Sequence, residues 1–69
     1  MVDTQRLDVA RTRIIFASEV AERLGRSEAQ LRWMIQKGTA PKSAMIAGRR
    51  CWRESDVEAF IDAAFKEAV

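Results

Sequence analysis

Between Ser18 and Ile35 apolar residues recur every three or four positions, and glycines and small polar residues interrupt the pattern. That period belongs to helices with one buried face. Val20, Ala21 and Leu24 share one side of a predicted helix from Ser18 to Leu24, with Glu19, Glu22 and Arg23 on the other side. Gly25 can take the left-handed conformation that closes a helix. In Ser27-Glu28-Ala29-Gln30 a serine precedes a glutamine by three positions, the signature of a capping box. A second helix should therefore run through Lys37, with Leu31, Met34 and Ile35 inward. Lys37 suits the negative helix end, Gly38 stops the helix, and Pro41 opposes a restart. Two short helices joined by a glycine-containing turn form a helix-turn-helix pattern. A helical hairpin in any small bundle reads the same way.

The flanks of this pair read differently. Ile14, Ile15 and Phe16 form a short β-prone run, and Phe16 can serve as a hydrophobic staple or as a floor for the core. After Pro41, Ser43–Ile46 and Arg50–Arg53 are predicted strands of a hairpin, with Ala47, Gly48 and Arg49 in the turn. Strand alternation sets Trp52 on the opposite face from Cys51 and Arg53. Its indole is then the anchor of the hairpin. Ser55, Asp56, Val57 and Glu58 spell another capping box, opening a third helix. Along it Val57, Phe60, Ile61, Ala64 and Phe65 recur at helical spacing, so its phenylalanines should pack against the first two helices. Residues 1–10 show no periodicity and are expected to form a mobile N-terminal arm. Residues 11–69 are expected to form the folded domain.

Composition narrows the chemistry. The chain has 69 residues, one cysteine and no histidine, which excludes an internal disulfide and a zinc cluster of Cys and His ligands. Cys51 has no histidine to make it a nucleophile, and Ser18, Ser27 and Ser55 read as helix caps without a general base. The expectation is a protein that is not an enzyme and needs no cofactor. No apolar run approaches the roughly 20 residues of a membrane span, and MVDTQRLDVA lacks a signal peptide's apolar stretch. A soluble intracellular protein is expected, with no membrane or small-molecule partner.

Net charge is only +2, but it is unevenly spread. Residues 11–53 carry ten Arg and Lys against Glu19, Glu22 and Glu28, whereas residues 54–69 carry five acids against Lys66. A basic, arginine-rich middle points to an anionic partner, with nucleic acid first. Solvation of ordinary helix faces is the alternative. If the partner is duplex DNA, side chains near the start of the second helix would reach base edges in the major groove. Glu28 could accept from a cytosine amino group, and Arg32 could fork onto guanine or a phosphate. The same two residues could instead form an i, i+4 ion pair. Trp33 has two readings, a sugar-phosphate contact or a partly buried core aromatic. Arg49 and Arg50 at the hairpin tip suit a narrow minor groove or phosphates. A solvated basic loop is the alternative. Arg53, Lys42, Arg11 and Arg13 are further phosphate candidates.

FASEVAERLGRSEAQLRWMIQKG, then AP, then GRRCWRESDVEAFI, together resemble the small winged-helix excisionase family related to the MerR DNA-binding domain. The resemblance rests on an EVA-x-x-LG first helix, a serine-capped second helix, a glycine before a proline, and a GRR-x-W-R-x-SDVEAF stretch. It spans about 50 residues in order and spacing. It departs in two places: AMIAGRR is slightly longer than the usual wing, and Glu28 stands where the family often has a basic or polar residue. The resemblance implies a mostly α winged helix-turn-helix with a small β-hairpin. It implies a recognition helix bearing Ser27, Glu28, Ala29, Gln30, Arg32 and Trp33, in which Leu31-Arg32-Trp33 resembles a Leu-Arg-Tyr triplet whose last two residues meet DNA. The wing would carry Arg49, Arg50 and Arg53. The implied function is that of a phage excisionase, a DNA-bending recombination directionality factor that binds in several copies and acts on an integrase. An AlpA-type transcription regulator and a protein-interaction adaptor are the competing readings.

Overall fold

In the computed structural model the described residues are 12–68. The expected arm over residues 1–10, and Arg11 with it, lie outside them. In chain order the elements are β1 (Ile14–Ile15), α1 (Ala17–Leu24), α2 (Glu28–Lys37), β2 (Ala44–Ile46), β3 (Arg49–Arg53) and α3 (Glu54–Glu67). The fold is a mostly α winged helix-turn-helix, as the sequence predicts.

α1 and α2 begin and end largely where local chemistry dictates. Gly25 and Gly38 both take left-handed backbone at φ 70° and 76°, and their N–H groups close the two helices. The capping box of α2 is complete: the Gln30 N–H donates to Ser27 Oγ at 3.1 Å, and the Ser27 N–H donates to Gln30 Oε1 at 3.0 Å. Ser18 does not cap α1. It lies one residue inside the helix, and Phe16 holds the N-cap position without a side-chain hydrogen bond. An apolar cap forgoes about 1 kcal/mol relative to serine or threonine.

The hairpin is one residue tighter than expected. Ala47 and Gly48 alone form its turn, at φ 52° and 79°, so Arg49 belongs to β3, paired with Ile46, and Ser43 precedes β2. Two left-handed residues match the right-handed twist of the flanking strands. Alanine resists that conformation, because its Cβ crowds the next carbonyl. Ala47→Asn should therefore raise stability by roughly 0.5–1 kcal/mol, read as a melting point about 2–8 °C higher. An unchanged or lower midpoint would show that the turn is not strained at Ala47.

The hairpin is also part of a larger sheet. β1 pairs antiparallel with β3, Ile15 opposite Trp52, giving the strand order β1-β3-β2. β3 runs straight into α3, and the expected Ser55 capping box is absent. Instead the chain entering β1 supplies the acceptors. The Glu54 N–H donates to the Arg13 carbonyl at 2.8 Å, and the Ser55 N–H donates to Thr12 Oγ1 at 3.2 Å.

Ile15, Val20, Ala21, Leu31, Trp52 and Val57 form the core, one or two from each of five elements. Trp52 is only 1% exposed, and its indole N–H donates to the Pro41 carbonyl at 3.2 Å. Cys51 points to the other face of the sheet, as alternation requires, yet it is also buried. Ile14 and Ile46 on the two edge strands flank it. The phenylalanines of α3 do not close the core as expected. Val57 is buried, Phe60 and Ile61 are half-buried, Phe65 is 74% exposed, and every residue from Asp62 to Ala68 is exposed.

One polar cluster fixes α3 to α1 and β1. Arg23 reaches Glu54, Glu19 at 3.0 Å and Glu58 at 3.6 Å, and Arg13 reaches Glu19 and Glu54 at 3.3 and 3.4 Å. The hydrogen bond to Glu54 raises the Arg23 pKa above its ordinary value, with burial opposing and Glu19 adding. Arg23 thus stays cationic across the whole working pH range. No described helix is long and apolar enough to cross a membrane.

Candidate nucleic-acid interface

α2 is held by its inner face and leaves the outer one free. Leu31 is fully buried, and Met34 and Ile35 are half-buried beside it. Glu28, Ala29, Gln30, Arg32, Trp33 and Gln36 are exposed. Of these, Glu28, Arg32 and Gln36 face the wing. They line a groove of about 580 Å³ with Arg49, Arg50 and Trp52 from β3 and Ala17 and Ser18 from α1. The helix-turn-helix and the wing therefore share one concave surface.

The predicted site residues separate on this frame. Arg50 is two residues from Trp52 on the same face of β3, and its Nη1 donates to Ser43 Oγ at 2.7 Å. Arg49 projects from the other face, and its guanidinium lies 3.9 Å from the centroid of the Phe16 ring. Neither is at the turn itself. Ser27 and Gln30 are bound to each other through the cap, so each brings only its remaining hydrogen-bonding capacity to a ligand. Trp33 is 58% exposed, which rules out the core reading, and Lys37 rests 5.6 Å from its ring centroid. It lies on the other flank of α2, where Arg26, Gln30, Met34 and Thr39 line a second hollow with it. Lys42 and Arg53 line a separate hollow with Ser43 and Asp56. Gln36 was missed by sequence reasoning, although it follows Arg32 by four positions and so shares its face.

Charge is partitioned as well as placed. Among the described residues, Arg13 and Arg23 are tied to carboxylates at the α1–α3 corner, and Lys66 pairs with Asp62. Arg26, Arg32, Lys37, Lys42, Arg49, Arg50 and Arg53 have no carboxylate within 4.0 Å among those residues. The predicted alternative of a Glu28–Arg32 ion pair is thus not formed. The wing and α2 therefore carry unspent positive charge, whereas Arg13, expected to meet phosphate, is already engaged. A guanidinium without a carboxylate keeps its charge and N–H fork for phosphates or guanine edges. The described residues contain no group of three or more Cys, Asp or Glu suited to a metal ion.

Comparison with known proteins agrees with this geometry. The family model for a helix-turn-helix domain matches residues 17–64. No curated protein and no solved structure matches the chain.

Proposed function

We propose, from the premise that this chain belongs to the helix-turn-helix domain family, that it is a phage excisionase. Sequence-specific binding of double-stranded DNA is the family's activity. On the proposed reading, several copies occupy neighbouring sites at an attachment region, bend the DNA, and direct a separate integrase towards excision. The protein itself makes no covalent change to DNA. Its place is the bacterial cytoplasm, on prophage DNA.

The observation that carries the reading is the groove between α2 and the wing, rimmed by Arg32, Arg49 and Arg50 with no carboxylate partners. Glu28, Arg32 and Gln36 are positioned for base edges of the major groove, and Ala29 and Trp33 for its walls. Ser27 and Gln30 support the helix end that enters. Arg49, Arg50 and Arg53 supply the wing, with Lys42 and Arg11 as further backbone contacts. On this reading the duplex is bent, and a bend over a short site costs of order 1–6 kcal/mol. Contacts between neighbouring copies offset such a cost. The acidic outer side of α3, with Asp62 and Glu67 exposed, suits a neighbour's basic face.

The test has two arms. Circularly permuted attachment-site fragments should show position-dependent gel mobility with the protein bound, the mark of a bend. Adding the protein to integrase should stimulate excision and depress integration. Promoter occupancy with no effect on recombination would leave an AlpA-type regulator instead, and absence of duplex binding at low salt would leave the adaptor.

A further inference from the structure

Phe16 holds the N-cap position of α1, just before Ala17, without a side-chain hydrogen bond, where a serine or threonine would accept a helix N–H. Its ring instead lies under Arg49, whose Cζ is 3.9 Å from the ring centroid. At that separation the guanidinium rests on the face of the ring. Among the described residues no hydrogen bond and no carboxylate engages the five N–H donors of Arg49. Arg50 differs: one of its nitrogens is already bonded to Ser43. A carboxylate would also have fixed Arg49, but only by spending its charge. The ring fixes it and leaves the charge whole.

We propose that Phe16 is a positioning residue for DNA binding. It orders Arg49 beside the start of α1, at the rim of the groove that both arginines line, so that the free guanidinium edge meets a backbone phosphate, while Arg50, on the face of β3 shared with Trp52, is left to the interior of that groove beside α2. The proposal rests on the DNA-binding reading and assigns the two adjacent arginines different tasks. Arginine otherwise loses much rotamer freedom on meeting a phosphate, and the stack removes part of that loss beforehand. Immobilising one long side chain on binding costs up to about ten-fold in affinity, so removing part of that cost beforehand corresponds to about two- to five-fold. Because phosphate contacts ignore sequence, the effect should appear on any duplex.

The experiment uses the full chain and sheared duplex DNA, with affinity followed by fluorescence anisotropy across a salt series. Phe16→Leu keeps the apolar bulk and removes the ring face; it should weaken binding about two- to five-fold. Phe16→Tyr restores a ring and should bind as the unaltered protein does. Arg49→Ala should lower the slope of log affinity against log salt by about one. Adding Phe16→Leu to Arg49→Ala should then cost nothing further. The proposal is overturned if Phe16→Leu weakens binding equally with Arg49 absent, or if Phe16→Tyr fails to restore it. Either result would make Phe16 a packing residue only. Melting curves for each variant exclude unfolding as the cause. If the unaltered protein does not bind the duplex at low salt, the DNA-binding reading itself fails, an outcome distinct from the first two.

Discussion

Replacing Trp52 by alanine should remove about a third or more of the domain's stability and shift its unfolding midpoint far down. Trp52 sits on the central strand of the sheet, 1% exposed, opposite Ile15 and within the same cluster as Val20, Leu31 and Val57. Truncating a buried tryptophan costs about 3–5 kcal/mol, for lost transfer free energy and for the cavity left behind. At roughly 0.05–0.15 kcal/mol per residue, a chain of this size has only about 3–10 kcal/mol in all. The loss also strands the Pro41 carbonyl, the acceptor for the indole N–H at 3.2 Å. Pro41 is itself buried, so water does not readily replace the indole. Trp52→Phe separates the two contributions: it keeps most of the volume, loses the hydrogen bond, and should cost about 1–3 kcal/mol. Circular dichroism with urea titration reads both variants. A cooperative Trp52→Ala transition near the original midpoint would show that the wing is anchored elsewhere.

That anchoring role was legible in the sequence, because strand alternation and the size of an indole are local facts. The same holds for α2, where the capping box and Gly38 lie within a few residues of what they cap. What the sequence concealed depended on distant partners. The start of α3 is satisfied by Thr12 and Arg13, more than 40 positions earlier, so the local Ser55–Glu58 pattern was misleading. Phe65 has the spacing of a core residue, but spacing alone does not tell what packs against it. The turn holds Ala47 and Gly48 as expected but is one residue shorter than the sequence suggests, because alanine rarely adopts the positive φ that a two-residue turn requires. The division of the arginines was hidden altogether. Nothing in the order of residues separates Arg13 and Arg23, held by Glu19 and Glu54, from Arg32, which has no such partner among the described residues. Arg49 illustrates the gain in detail, since its ring partner is 33 positions away in sequence.

Arg32→Ala should reduce affinity for the preferred DNA site by about 1–3 kcal/mol, roughly 5- to 150-fold. Arg32 lines the groove between α2 and the wing, one turn after Glu28 and one turn before Gln36. From that place its fork can meet two acceptors on one guanine edge, a geometry that a lysine ammonium does not reproduce. Arg32→Lys should consequently recover little of the loss. Neither variant should shift stability by more than about 0.5 kcal/mol, because the side chain is exposed and no ion pair depends on it. The preferred site is first selected from random duplexes with the unaltered protein. Each variant is then measured on that site and on a scrambled duplex at one salt concentration, since affinities at different salt are not comparable. A base contact predicts a large loss on the selected site, a small one on the scrambled duplex, and hence a reduced ratio. Equal losses on both would place Arg32 on phosphate. Specificity would then fall to Glu28 and Gln36, the other polar side chains of α2 that share the groove.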